Sequence, residues 1–352
     1  MITVAELADA LGGGFAGDGT LGVTGPAEPS EAVPGRIALA MDPKYADALQ
    51  DGKAECAILW PGADWQSFGL KAAVFAPRPR YVMAGVTKVF DFPAGPPAGI
   101  HPSAIIDPAA SIGAGAAIGP FVVIEAGTRI GAGARIGAHV WIGSDVEIGD
   151  AALIHPGARI GARVRIGARF ICQPGAVIGG DGFSFVTPQP GLVEEARATG
   201  AVVSEDQSSY VRINSLGAVV LGDDVEVGAN ACIDRGTVAN TSVGDGTKID
   251  NLVQIGHNVR IGHTCLVCGH VAIGGSTVIG DRVVLGGKAA IADHLTIGSN
   301  SIITGNAGVA SNVPPNRVMM GYPAVRMDQN VEMYKALRRL PRVIERLSKL
   351  QK

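Results

Sequence analysis

With 352 residues the chain is long enough for one large domain or two to three ordinary ones, and its formal charge of −3 gives no electrostatic basis for nucleic acid as a partner. Aromatic residues make up only 5%, so any core must be built from Ile, Val, Leu and Ala; 50 glycines are about twice the usual share and signal either disorder or a repeat. No stretch of about eighteen apolar residues occurs, and Glu6 and Asp9 interrupt the N-terminal segment, so neither a transmembrane segment nor a secretory leader is expected and the chain reads as soluble and cytoplasmic.

Residues 1–99 read as a small α/β domain. In TVAELADALGG, Thr3 and Glu6 stand at capping-box spacing, Leu7 and Leu11 share a helix face, and Gly12 ends the run. ECAILW (55–60) and KAAVFA (71–76) are short apolar runs bounded by turn residues, as strands are. FPAGPPAG at 92–99 reads as a linker.

From Ile100 to Ile178 an apolar residue recurs at every sixth position, and all are Ile except Cys172. A second run starts at Leu221, Val227 and Ile233, slips by four residues within DRGTVANTS, and continues unbroken from Val243 to Val309. A period of six fits neither a 3.6-residue helix nor an endless two-residue alternation. It fits short strands joined by turns and stacked as a parallel β-helix. Each Ile or Val points inward, and Gly, Asn or Asp supplies tight or left-handed backbone at the corners. Residues 100–325 are assigned to this prism. Residues 180–217 lack the register and form an excursion from it, in a position where loops meet substrates.

Residues 326–352 read as one or two helices broken near Pro341. Arg326, Lys335, Arg338, Arg339, Arg342, Arg346, Lys349 and Lys352 outnumber Asp328, Glu332 and Glu345 there, which suits a solvated face or a docking site for an acidic partner. Cys56, Cys172, Cys232, Cys265 and Cys268 show no disulfide spacing. The lone Cys265-x-x-Cys268 cannot close a four-ligand zinc site, so all five read as reduced thiols.

The units IGAGAAIG and IGAGARIG resemble the hexapeptide-repeat transferase superfamily, which implies a left-handed β-helix with three hexapeptides per coil and coils ~4.8 Å apart. Three activities stay open on such a scaffold: acyl transfer to a sugar nucleotide, a carbonic-anhydrase-like zinc hydrolase, or a prism without catalysis. His257 and His294 are 37 residues apart, two coils and one residue, so they fall on one side of the prism ~10 Å apart along its axis. That is too far to share a zinc ion within one chain, where Zn–N bonds are ~2.0–2.1 Å, and it suits two groups flanking a substrate. His263, one hexapeptide after His257, turns to another side and reads as a surface or interface residue.

IGGDGFSF (178–185), LGDDVEVGANACIDRGT (221–237) and IDNLVQIGHNVRIG (249–262), in this order, resemble the UDP-3-O-(3-hydroxyacyl)glucosamine N-acyltransferases of lipid A biosynthesis, a likeness that covers nearly the whole chain. The resemblance implies a homotrimer that moves an (R)-3-hydroxyacyl group from the phosphopantetheine of acyl carrier protein to the 2-amine of a UDP-glucosamine lipid, with no metal and no further cofactor. It places His257 as general base, a role an imidazole of ordinary pKa ~6.5 can fill near neutral pH. Gly275, one coil on, would offer its N–H to the oxyanion, and His294 would touch substrate or support the oxyanion. Asp250 would hold the sugar amine, orient an imidazole or cap a corner. Asp234 and Arg235 read as an ion pair that steadies the register slip, outside the site.

The family's uracil-binding Phe-x-x-Asn-x-x-Tyr falls on Leu39, Asp42 and Tyr45 in IALAMDPKYADAL. Tyr45 keeps a stacking face, Leu39 lacks one, and an ionised Asp42 cannot donate a hydrogen bond, so looser nucleotide binding is expected. The acidic carrier protein gives Lys335, Arg338, Arg339, Arg342 and Arg346 a docking partner. The runner-up is an acetyl- or O-acyltransferase of the same superfamily acting on another sugar nucleotide.

Overall fold

The structure, a computed structural model, describes residues 1–76, 78–92, 95–189, 191–201, 209–322 and 324–350. The chain divides into two compact units, Met1–Ala94 and Gly95–Lys352. The linker read at 92–99 straddles that division, and its residues 93 and 94 lie outside the described ones.

In the first unit Thr3 caps the helix Val4–Ala10, and the Glu6 carboxylate returns a bond from the Thr3 backbone N–H at 2.8 Å. Cys56–Leu59 pairs in parallel with Ile37–Ala40 on one side and Ala72–Phe75 on the other, within a five-stranded sheet. Cys56–Leu59 is buried throughout, which is why ECAILW shows no polar alternation.

From Gly99 the second unit winds as a left-handed parallel β-helix. Among the described residues its walls are three parallel sheets of nine, eleven and ten strands. Ile112, Ile130, Ile148 and Ile166 pair in succession, so one coil takes 18 residues. The inward set is larger than the six-residue register. Most hexapeptides also bury the residue two positions earlier, as Val253 before Ile255 and Val259 before Ile261.

Some of these additional inward positions carry hydroxyls that are wholly buried and fully satisfied. Thr277 Oγ1 donates to the Ala292 carbonyl at 2.8 Å and accepts from Leu295 N–H at 3.3 Å. Thr247 does the same with the Gly262 carbonyl and Cys265 N–H, at 3.0 Å each. These threonines interrupt an otherwise apolar stack without leaving an unpaired group, whose burial costs ~1–3 kcal/mol.

The corners carry the expected Gly, Asn or Asp at positions such as Gly246, Asp224 and Asn258, but other residue types share them. Left-handed backbone falls at every sixth residue from Leu252 to Asn306, and Leu252, Thr264, Arg282 and Lys288 are among its holders. A left-handed L-residue costs about 1–2 kcal/mol. The N–H of that same residue offsets the cost by bonding to a carbonyl one coil earlier: Thr264 to Asp245, Ser276 to His257, Arg282 to His263.

Ile166 pairs with Leu221, 55 positions on instead of 18, so 37 residues leave the prism as the excursion. It contains an antiparallel pair, Phe185–Val186 with Val211–Arg212, and the helix Leu192–Thr199; residues 190 and 202–208 lie outside the described ones. Leu221 in turn pairs with Val243, 22 positions on, which is the four-residue slip.

The tail is one helix, Met327–Leu350, and not two. Pro341 sits inside it, and the carbonyl it deprives of a partner, that of Leu337, lies on a helix with no buried residue, where water can replace the lost bond. Among the described residues no helix is long and apolar enough to cross a membrane.

Candidate active site

His257 follows the strand Gln254–Ile255 at a corner of the prism, and two glycines make its slot. A Cβ on Gly275, one coil on, would stand 2.9 Å from imidazole Nε2 and Cε1. A Cβ on Gly182, in the excursion, would stand 2.8 Å from the His257 Cβ. Neither glycine has left-handed backbone, so what requires them is the ring between them and not their conformation.

The ring's protonation pattern follows from its neighbour. Asn258 Nδ2 donates to the Ala239 carbonyl at 2.9 Å, while Thr237 N–H donates to Asn258 Oδ1 at 3.0 Å. The amide is thereby fixed with its oxygen toward His257, whose Nδ1 lies 3.0 Å away. An acceptor at that point assigns the proton of the neutral ring to Nδ1 and leaves the lone pair on Nε2. Ala239 and Thr237 both belong to the four-residue slip, so the irregularity in the repeat supports the imidazole's partner.

His257 lines a cavity of about 540 Å³ with Asp181, Gly182, Phe185, Arg212, Asp234 and Gln254. The Arg212 guanidinium stacks 4.7 Å from the centre of the Phe185 ring, and Phe183, highly exposed, meets Phe185 edge-on. The expected Asp234–Arg235 pair does not form. The Arg235 side chain turns inward and donates to the carbonyls of Gly179 at 2.9 Å and Ala162 at 3.2 Å, with Asp181 at 4.0 Å. Asp234 is left in the cavity, its Oδ2 accepting from Gln254 Nε2 at 3.1 Å. Burial raises its carboxyl above the ordinary value; the Gln254 bond and the His257 ring act the other way, and Asp181 acts with burial.

Gly275 lies against the imidazole as the spacing predicted, and among the described residues its N–H has no acceptor. At another corner the second N–H after the inward Ile is in several coils taken by a carboxylate from the next coil, Ala132 by Asp150 and Ala168 by Asp223. The residue one coil beyond Gly275 is Asp293, and its carboxylate is engaged by Arg197 of the excursion at 3.3 Å.

His294 is exposed, holds a left-handed corner with its N–H bonded to the Gly275 carbonyl, and does not line the cavity. Asp250 is not beside His257 in this chain. It follows a strand of a different sheet and lines a separate cavity of about 490 Å³ with Gln173, Glu226, Lys248 and Asn251, while the partner of the imidazole within this chain is Asn258. His263 stands in a corner ladder of carboxylates, its Nδ1 accepting from Asp245 N–H at 3.1 Å while its own N–H bonds to Asp281.

In the first unit Leu39 is half-buried and packs on the core. Asp42 caps the turn Pro43–Tyr45 by accepting from Lys44 N–H at 3.0 Å, and the Lys44 ammonium lies 4.9 Å above the Tyr45 ring. Asp42 is thus already engaged in shaping the turn that presents Tyr45. Lys335, Arg338, Arg339, Arg342 and Arg346 are all exposed on the tail helix; Lys335 reaches Glu332 at 3.0 Å, and Arg338 lies 5.9 Å over Tyr334.

Residues 100–181 match the family model of a GMPPB C-terminal domain, which covers the first part of the prism. A UDP-3-O-acylglucosamine N-acyltransferase of Ruegeria pomeroyi is 63% identical over 351 residues, 99% of this chain and 97% of that one. The chain belongs to the UDP-3-O-acylglucosamine N-acyltransferase family. A second member, from Paracoccus denitrificans, is 58% identical over 76% of this chain and 73% of its own length. The solved Arabidopsis UDP-N-acetylglucosamine acyltransferase, 22% identical, covers 63% of this chain and 71% of its own with a TM-score of 0.54, a likeness of fold.

Asn258, Gly182, Asp234 and Gln254 are residues around the His257 imidazole and its cavity that the sequence did not single out. Asn258 was signalled by its place next to His257, and Gly182 by the DGF segment. Asp234 was misassigned because an adjacent Arg suggested a local pair, which an extended backbone separates onto opposite sides.

Proposed function

We propose that this N-acyltransferase moves an (R)-3-hydroxyacyl group from the phosphopantetheine thioester of acyl carrier protein to the 2-amine of UDP-3-O-(3-hydroxyacyl)glucosamine in lipid A biosynthesis, with His257 as general base. The observation that carries the reading is the imidazole itself: Nδ1 is committed to Asn258, and the ring with its free Nε2 lines the cavity. Attack of the amine on the thioester carbonyl puts positive charge on nitrogen and negative charge on oxygen. His257 Nε2 takes the nitrogen's proton and returns it to the departing thiol, work worth ~10²–10⁴-fold. Gly275, whose N–H is unengaged among the described residues and whose backbone abuts the ring, supplies the oxyanion donor, worth ~10²–10³-fold. Thioester aminolysis requires no redox cofactor.

The basic tail helix supports docking of the acidic carrier, with Lys335 partly neutralised by Glu332 and the arginines free to form the contact surface. Leu266, Val284, Ile302 and Val318 follow one another along one sheet, Val284 half-buried and the other three exposed, the kind of apolar wall that a second and third prism cover, which supports a homotrimer with the acyl chain lying between subunits. Tyr45 gives the first unit a stacking surface for uracil.

The test is an acylation assay with the purified chain, 3-hydroxyacyl carrier protein and UDP-3-O-(3-hydroxyacyl)glucosamine, reading the amide product by mass. The expected result is turnover that depends on the carrier-bound donor. No turnover with that pair, but turnover with acetyl-coenzyme A on another sugar nucleotide, would overturn the proposal in favour of an acetyltransferase.

A further inference from the structure

Ile233 pairs with Ile255, so Asp234 stands one coil from Gly256, the residue before His257. Gly256 has no side chain to intervene, and the Asp234 carboxylate and the His257 ring line the same cavity. Gln254 Nε2 fixes Asp234 Oδ2, while among the described residues Oδ1 has no hydrogen-bond partner and no cation is paired with the group. The charged groups around it are committed elsewhere. Arg235 is held by the carbonyls of Gly179 and Ala162 and approaches Asp181, and Arg212 is stacked on Phe185. A carboxylate set in a cavity, anchored through one oxygen and open at the other, is a receptor for a small cation.

Resting on the function proposed above, we propose that Asp234 is the receptor for the nucleophilic nitrogen: its open oxygen holds the acceptor's 2-ammonium beside His257, with Gln254 fixing the carboxylate. An amine of α-amino-like basicity, pKa ~7.7–8.0, is largely cationic at neutral pH, so the acceptor arrives charged. Before attack the ammonium gives one proton to water, since only the free amine has a lone pair; C–N bond formation then returns positive charge to nitrogen, and the same oxygen holds it until His257 takes the second proton and passes it to the departing thiol. Asp234 thereby selects an amine over a hydroxyl at the reacting carbon, which neither the base nor the oxyanion donor does. Its under-solvated charge, seen in the rise caused by burial, makes an arriving cation more welcome.

The experiment compares the amine acceptor with its neutral counterpart, UDP-3-O-acylglucose, which carries a hydroxyl at the same carbon, as a competitive inhibitor. Wild type is expected to prefer the amine, and Asp234→Asn, which keeps the shape and an acceptor for Gln254, to lose ~10–100-fold in kcat/KM for the amine while binding the hydroxyl analogue as before. Asp234→Ser must behave like Asn, and Asp234→Glu must retain part of the preference, so misfolding of one variant does not decide the outcome. An active wild type together with either neutral variant that keeps the full amine preference overturns the role of Asp234 alone. A wild type that acylates no amine overturns the proposed function and this role with it.

Discussion

Gly275→Ala isolates the packing of the imidazole. The substitution keeps the backbone N–H, and the backbone at 275 is not left-handed, so an alanine adopts it without strain. What changes is one methyl group, placed 2.9 Å from His257 Nε2 and Cε1 and 3.3 Å from Nδ1, where carbon contacts ordinarily settle at ~3.5–4.0 Å. The ring must move by roughly 0.6–1 Å. Gly182 closes the opposite side at the His257 Cβ, and the 3.0 Å bond to Asn258 resists a swing. Displacing a reacting group by about 1 Å costs ~10²-fold, and overpacking costs about 1–3 kcal/mol. Steady-state acylation should therefore show kcat/KM reduced about 100-fold, with a modestly lowered Tm and an unchanged far-ultraviolet circular dichroism spectrum. In a His257→Ala background the same substitution should leave Tm nearly unchanged, because the clash has been removed. A folded Gly275→Ala protein with near-wild-type kcat/KM refutes the reasoning.

Asn258→Leu deprives Nδ1 of its acceptor and should lower kcat by at least ~10-fold through the wrong tautomer, measured under saturating substrates; an unchanged kcat removes Asn258 from the mechanism. Thr277→Val keeps the volume but strands the Ala292 carbonyl and Leu295 N–H, so the denaturant midpoint should fall by the equivalent of about 1–3 kcal/mol, and an unmoved midpoint would mean that these bonds contribute nothing net. Reversing Arg338, Arg339 and Arg342 to Glu should raise KM for the carrier-bound donor roughly tenfold or more with kcat maintained, and flatten its salt dependence. If KM stays put, the tail is a solvated face.

The prism was legible in the sequence because an inward Ile on a two-residue strand admits little else, and the pattern repeats often enough to show its period. Its second inward position was not, since Ala, Val, Thr and Cys alternate there without a common residue. The corner assignment held at Gly246, Asn258 and Asn300 but missed others for a related reason: a backbone hydrogen bond to the preceding coil lets Leu252 and Lys288 hold a conformation that composition reserves for Gly and Asn. Within the site, His257 came from the family resemblance, and Gly275 followed from it by the spacing of one coil. Asn258 and Asp234 depended on where the four-residue slip and the excursion cross the corner, and an interruption of a repeat carries no periodic signal. Asp250 shows a limit of sequence proximity, since seven residues turn a corner of the prism onto another sheet, where Asp250 Oδ1 accepts from Asn251 N–H. The tail helix passes through Pro341 because nothing packs on it, so the broken bond meets water and not a core.

The central claim is that the His257 imidazole accepts the nucleophile's proton. It is tested most directly by kcat for acyl transfer in His257→Ala, with fold and assembly checked by circular dichroism and sedimentation. A loss of ~10²–10⁴-fold in kcat, with an intact fold and assembly, is the predicted result. A His257→Ala protein that turns over within a few-fold of wild type would contradict it.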